Sequence, residues 1–227
     1  MKLLSINKDI THDKLDITFI TESELASCHT LKTYNFIIIN GGDGTIRRVI
    51  KTLHTIEHNA KFILNPTGSF NVVAKLHKVP KLNVVLDALS KGTTLPSKKH
   101  IYYSLNKEIF LYSAGNMGDL QHILLSETLR FGILKHGIAK YALALLFLFP
   151  IHLVMTPFML LSSKKFFIFT PASFIGKFGN LYGKVNQEIH IDLENRYNLI
   201  ELDGDVILMK KAQLEIKPAG NIEVIVR

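Results

Sequence analysis

Three short stretches hold the residue types that can do chemistry. The first is "NGGDGT", residues 40–45, three glycines and one carboxylate placed directly after the apolar run "FIII". The second is "NPTGSFN", residues 65–71, which again sets small and hydroxyl residues behind an apolar run. Glycines let a backbone approach a phosphate closely, and the N–H groups at a helix start supply positive potential. The hydroxyls of Thr45, Thr67 and Ser69 can donate to phosphate oxygens. Asp43 would repel a phosphate directly. Its place among Gly41, Gly42 and Gly44 suits a bridging Mg²⁺, or a polar contact to a nucleotide or its acceptor. The plain alternative is that the glycines are turn residues and Asp43 caps a helix beginning near Thr45. The third stretch is "LDGD", residues 202–205, whose Asp-Gly pair favours a two-residue hairpin turn that could present both Asp203 and Asp205.

The elements around the first two stretches read as one unit. "YNFIIIN" does not alternate and reads as a strand buried on both faces. In "TIRRVIKTLHTIEHN", Ile46, Val49, Ile50, Leu53 and Ile56 fall at helical spacing. "AKFILNP" is a second short strand, and "TGSFNVVAKLHKV" a turn and helix stopped by Pro80. Strand, helix, strand implies a right-handed crossover and parallel strands, so both loops lie on one sheet edge, where open α/β sheets bind ligands. "LNVVLDALSKG" is a further helix ended by Gly92.

The pattern then changes. Short segments rich in Ile, Phe, Tyr and Val, such as "KKHIYYSLN", "NQEIHIDL", "AQLEIKPAG" and "IEVIVR", are separated by turn residues and predict antiparallel strands. The expected fold is an α/β N-terminal nucleotide-binding domain with a truncated parallel sheet, residues 1–94. An antiparallel β-sandwich domain, residues 95–227, follows. An apolar helix at about 133–149 is inserted in it. The stretch 141–161 is long enough to be weighed as a membrane span, but Pro150 and Pro157 interrupt it. It reads as a helix to Phe149, a turn, and an extended segment.

Composition narrows the class. The 227 residues are 47% hydrophobic and 20% charged, with a formal net charge of +8, which favours an anionic partner. The basic residues come in pairs, such as Lys164-Lys165, with no long run, so nucleic acid is not the expected partner. The single cysteine, Cys28, excludes an internal disulfide and a cysteine zinc site. With no leader-like apolar core at the N-terminus, a cytoplasmic location is expected. His54 and His58 stand four apart, a metal-ligand spacing, but without an evident third ligand they read as solvated. Asp119 reads as a surface acid. Self-association into a homo-oligomer is left open.

There is no GxxxxGK[ST] and no GxGxxG. Instead, "IIINGGDGTI" followed by "FILNPTGSFNVVAKLHKVP" resembles the diacylglycerol kinase catalytic domain, with its GGDGT loop and "PxGTxNDFAxxLGIP" segment. Pro66, Gly68, Ser69, Asn71, Ala74, Leu76, Val79 and Pro80 stand at matching spacing. "LDGDVILMKKAQLEIKPAGNIEVIV" is similar to the family's late "DGE" motif and closing strands. The resemblance runs over about residues 35–227. It implies an ATP-dependent lipid kinase that uses Mg²⁺, with a diacylglycerol-like acceptor and a peripheral contact with an anionic membrane surface. It implies that residues 41–45 and the Thr67, Gly68, Ser69 and Asn71 loop contact nucleotide. Asp43 and Asp203 would be catalytic, Asp203 as base for the acceptor hydroxyl, and Asp205 a metal ligand.

Four features depart from the family pattern. No "NPxSG" loop precedes GGDGT. Arg47-Arg48 replaces Asn-Glu, Val72 replaces Asp, and Asp205 shortens the glutamate. They motivate a second reading, a catalytically weak or inactive nucleotide- or lipid-binding relative. GGDGT alone, shared with NAD kinases, motivates a third, an NAD kinase-like enzyme.

Overall fold

The computed structural model describes residues 1–116 and 139–227. The expected helix start at 133 and Asp119 lie outside the described residues. The chain divides into two compact units. The first is Met1–Tyr102 with Ala219–Arg227, and the second is Tyr103–Pro218. The division therefore falls after Tyr102 rather than near residue 94, and the last residues return to the first unit.

The first unit is built on parallel strands. β1 (Lys2–Ile6), β2 (Asp16–Ile20), β3 (Phe36–Gly41) and β4 (Lys61–Pro66) lie in the order β2-β1-β3-β4. All three pairings are parallel. β1 and β2 were not evident in the sequence. No helix joins them, which is how the sheet is truncated. The end of β14 (Gln213–Ile225) pairs parallel with β4, Val224 opposite Phe62. "AQLEIKPAG" and "IEVIVR" are thus one strand, not two, and its end belongs to a parallel sheet. Pro218 and Gly220 suggest a break, yet Gly220 serves a close contact: a Cβ there would lie 2.5 Å from the Tyr102 hydroxyl.

α1 (Asp43–Leu53) follows β3, α2 (Val72–Leu76) follows β4, and α3 (Leu82–Ser90) comes after Pro80. Of the stripe expected on α1, Ile46, Val49, Ile50 and Leu53 are each at most 2% exposed, whereas the helix ends before Ile56, which is half-buried. Each of the four buried side chains contributes about 1.5–3 kcal/mol of burial. α3 ends as expected. Gly92 takes φ +72°, and its N–H and that of Thr93 return to the carbonyls of Leu89 and Ala88.

The second unit is a β-sandwich. One layer runs β13 (Asp205–Met209), β12 (Asn198–Leu202), β7 (Ser113–Gly115), β8 (Phe167–Phe169), β10 (Leu181–Tyr182) and β9 (Lys177–Phe178). All its pairings are antiparallel except β8 with β10. The other layer contains antiparallel pairs between the end of β5 (Ser97–Leu105) and β6 (Glu108–Phe110), and between β11 (Ile189–Asp192) and β14. Leu105, Phe110, Ile191 and Leu214 from this layer share one core with Ile168, Ile200 and Leu202 from the first.

α4 (Ala139–Leu161) corrects the expected helix-turn-strand reading, since Pro150 and Pro157 both lie inside the helix. An internal proline costs about 3 kcal/mol, and kinks rather than ends a helix when its neighbours hold the turns. Here the neighbours are Leu, Ala, Phe and Met, mostly strong helix formers. Among the described residues, no helix is long and apolar enough to cross a membrane.

Candidate functional site

β3 and β4 deliver both glycine loops to the same sheet edge, in register to the last residue: Asn40 faces Asn65, and Gly41 faces Pro66. Below the loops a polar ladder fixes the strand ends. Asn65 Nδ2 donates to Asn40 Oδ1 at 2.7 Å. Asn40 Nδ2 donates to Ser5 Oγ at 3.1 Å and to the Ile6 carbonyl at 2.8 Å. Sequence reasoning passed over both asparagines as supports. The available signal was their equivalent placement, each the last polar residue before a glycine loop.

The loops touch each other. Thr67 N–H donates to the Gly41 carbonyl at 3.2 Å. A Cβ on Gly68 would stand 2.7 Å from Gly42 Cα, and one on Gly41 would stand 2.4 Å from Thr45 Cβ. Gly42 and Gly68 are therefore required for loop-on-loop contact, and Gly41 for room beside Thr45 of its own loop, whatever they do for a ligand. Asn71, at φ +50°, closes its own loop, accepting from Gly68 N–H at 3.0 Å and donating to the Gly68 carbonyl at 2.6 Å.

Asp43 is the clamp between them. Gly42, not Asp43, is the N-cap of α1. The buried Asp43 carboxylate reaches across to the neighbouring helix, accepting from Val72 N–H at 2.7 Å and Val73 N–H at 3.1 Å. One helix start thus caps another, and the amino ends of α1 and α2 are held together. Gly44 and Thr45 lie in the first turn of α1, while Thr67 and Ser69 are exposed in the second loop. Arg48 is engaged locally: its guanidinium donates to Glu22 at 2.6 and 3.3 Å and to Thr45 Oγ1 at 3.4 Å. At the far end of α2, His77 Nε2 and His100 Nδ1 are 2.9 Å apart. Burial, and then the charge of Lys98, hold His77 below the usual imidazole range. His54 meets the Tyr102 hydroxyl at 3.1 Å. Among the described residues, no cluster of three or more His, Cys, Asp or Glu could hold a metal ion.

In the second unit, Asp203 and Gly204 form the expected two-residue turn between β12 and β13, both at positive φ, with Leu202 opposite Asp205. Asp203 turns inward and is 5% exposed. Its Oδ2 accepts from Leu111 N–H at 2.7 Å, and its Oδ1 from Tyr112 N–H at 2.9 Å and Ser113 N–H at 3.0 Å. Glu201, which sequence reasoning missed, lies beside it, accepting from Ser113 Oγ at 3.1 Å and from Gly204 N–H. Its signal was an acid inside the apolar run "NLIEL". Asp205 is half-buried at the start of β13. A groove of about 1300 Å³ in this unit is walled by His190, Arg196, Tyr197, Lys210 and Lys211 among others, and contains none of these three acids.

The structure thus brings the two expected glycine loops together in one unit, and Asp203 and Asp205 together on one hairpin in the other. Residues 9–98 match the diacylglycerol kinase catalytic domain. No curated protein matches the chain. A solved structure of a diacylglycerol kinase from Bacillus anthracis str. Sterne covers 100% of this chain and 96% of its own at 14% identity, with a TM-score of 0.56. Two further structures from that organism cover the same shares at 15% and 14% identity, each with a TM-score of 0.57. Over residues 9–98 the chain is thus similar in sequence to the diacylglycerol kinase catalytic domain, and over its whole length it has the fold of these bacterial structures.

Proposed function

We propose that the protein is an ATP-dependent lipid kinase that transfers the γ-phosphoryl group to the hydroxyl of a diacylglycerol-like acceptor. The observation that carries this reading is the clamp of two glycine loops at the amino ends of two helices, with backbone N–H groups of Gly44 and Thr45 in the first turn of α1. A helix start of this kind favours a phosphate chain. In the proposal, residues 41–45 and the Thr67–Asn71 loop orient the phosphates, and Thr45, Thr67 and Ser69 donate their hydroxyls. Asp43 contributes by positioning, because its carboxylate is engaged by two amides.

The base role falls to Asp203, which would take the proton as the acceptor hydroxyl attacks. Asp205 is the carboxylate assigned to Mg²⁺. In kinases this ion neutralises charge on the β- and γ-phosphoryl oxygens, and it is commonly held by one or two carboxylates plus the phosphates. A single protein ligand fits that habit. The acceptor lies in a bilayer, so the protein would act in the cytoplasm and contact an anionic membrane surface peripherally.

A specific observation favours the weak or inactive relative as second reading. Val72, at the family's acidic position, offers only its amide to the site. Incubation with labelled ATP, Mg²⁺, a lipid panel and NAD separates the readings. A labelled lipid supports the kinase, and labelled NADP would replace it with the NAD kinase-like alternative. ATP binding without turnover supports the inactive relative.

A further inference from the structure

A helix at a protein surface ordinarily turns a polar face to water. α4 does not. Ala144 on one side is fully buried, while Leu146, Phe147, Phe149, Val154, Phe158 and Leu161 are between 55% and 85% exposed. Leu146, Phe149, Val154, Phe158 and Leu161 recur at spacings of three to five residues, which lines them along one side of the helix. The segment 170–178 repeats the pattern: Phe174 is 88% and Phe178 63% exposed, with Lys177 beside Phe178. Charge supplies the second observation. Between Glu127 and Glu188 the sequence has seven Lys or Arg and no Asp or Glu.

We infer that α4 and the 170–178 segment are the docking surface for a bilayer carrying anionic lipid. The exposed stripe would lie in the plane of the membrane at the boundary of headgroups and acyl chains. This names the surface through which the proposed peripheral contact is made, and it rests on the lipid kinase reading for its purpose. Apolar side chains without acids, among lysines, fit an interfacial seat, where burial of the stripe and attraction to anionic headgroups add. The prolines favour lying on the membrane over crossing it. Pro150 and Pro157 are both exposed, on the same side as the stripe. Each removes an N–H and so deprives the carbonyl four residues earlier of its helical partner. Water and headgroups can bond such carbonyls, whereas hydrocarbon cannot.

The chain has no tryptophan, so Phe158→Trp gives a single reporter. It is added to phosphatidylcholine vesicles with and without phosphatidylglycerol. The expected result is a blue shift with the anionic vesicles. Quenching should be stronger by lipids brominated near the glycerol end of the acyl chain than by lipids brominated at its terminus. Flotation of Leu161→Asp/Phe174→Asp should fall at least about tenfold, with circular dichroism unchanged, and wild-type binding should weaken as salt rises. Strongest quenching at the chain terminus, with resistance to alkaline carbonate, overturns the inference in favour of a span. A blue shift without vesicles that grows with protein concentration overturns it in favour of a second copy of this chain. Flotation of the double variant at the wild-type level overturns it outright. Wild type that floats as described but phosphorylates no lipid supports the surface while removing the kinase. A double variant that phosphorylates detergent-dispersed acceptor at the wild-type rate but fails on vesicles supports both.

Discussion

Asp203→Asn separates a base from a brace. Asp203 sits at φ +52°, a conformation asparagine tolerates well, so the backbone is not strained by the change. The side chain keeps its shape, but one oxygen becomes an NH₂. Its least damaging orientation leaves Oδ1 to the Tyr112 and Ser113 amides and turns the NH₂ toward Leu111 N–H. One hydrogen bond to a charged group, worth about 1.5–3 kcal/mol, is then lost, and the other two weaken as their acceptor loses its charge. A total near 3 kcal/mol is a reasonable scale for a carboxylate this buried. For a chain of 227 residues that lowers Tm by about 6–12 °C. Circular dichroism melting measures it, and a fall of less than about 2 °C would refute the bracing argument. Turnover is then read well below the melting range. A base role predicts a kcat lower by roughly 10²–10⁴ with the KM for ATP little changed. A lower Tm with wild-type kcat would leave Asp203 a brace only, and the proton acceptor would have to be sought elsewhere.

Asp43→Ala should abolish turnover and speed amide hydrogen exchange at Val72 and Val73, which lose their acceptor; unchanged exchange would remove the clamp. Gly68→Ala puts a methyl 2.7 Å from Gly42 Cα and should lower kcat/KM for ATP by about 10²-fold, the scale of a displacement near 1 Å. Asp205→Asn should raise the Mg²⁺ concentration needed for half-maximal turnover, and an unchanged Mg²⁺ titration counts against its metal role. The imidazoles of His77 and His58 are held below their ordinary range, chiefly by burial. Their stabilisation is complete above the unfolded pKa near 6.5 and is lost as pH falls through the lower folded values. The urea midpoint should therefore drop between pH 7.5 and 5.5, and His77→Gln should flatten that dependence.

What the sequence makes legible follows the range of the interaction. The α1 stripe as far as Leu53, the paired glycine loops and the Asp-Gly hairpin are set by neighbours within a few residues, and appear as read. β14 misleads because Pro218 and Gly220 look like local punctuation, although Gly220 serves a contact with Tyr102. α4 misleads in the same way through Pro150. The carboxylate roles were hidden for a different reason. The partners of Asp43 lie 29 and 30 positions later, and those of Asp203 lie 90 to 92 positions earlier. Those partners are all backbone amides, which leave no mark on residue type.

That last point changes how the departures from the family pattern bear on activity. Asp43 bonds the amide of residue 72, so an aspartate or a valine there is equally able to close the clamp. Arg48 reverses a charge, but the charge is answered by Glu22 at 2.6 Å and ties that segment to the first turns of α1. Neither substitution disturbs the architecture of the glycine loops. What Val72 and Arg48 do remove is acidity, and acidity matters to metal placement more than to fold. In the proposed reaction, with the carboxylates of Asp43 and Asp203 held by amides, the load of positioning a cation would shift toward Asp205 and the phosphates themselves. On the lipid-kinase proposal, the departures would therefore bear on the metal requirement first and on nucleotide binding second.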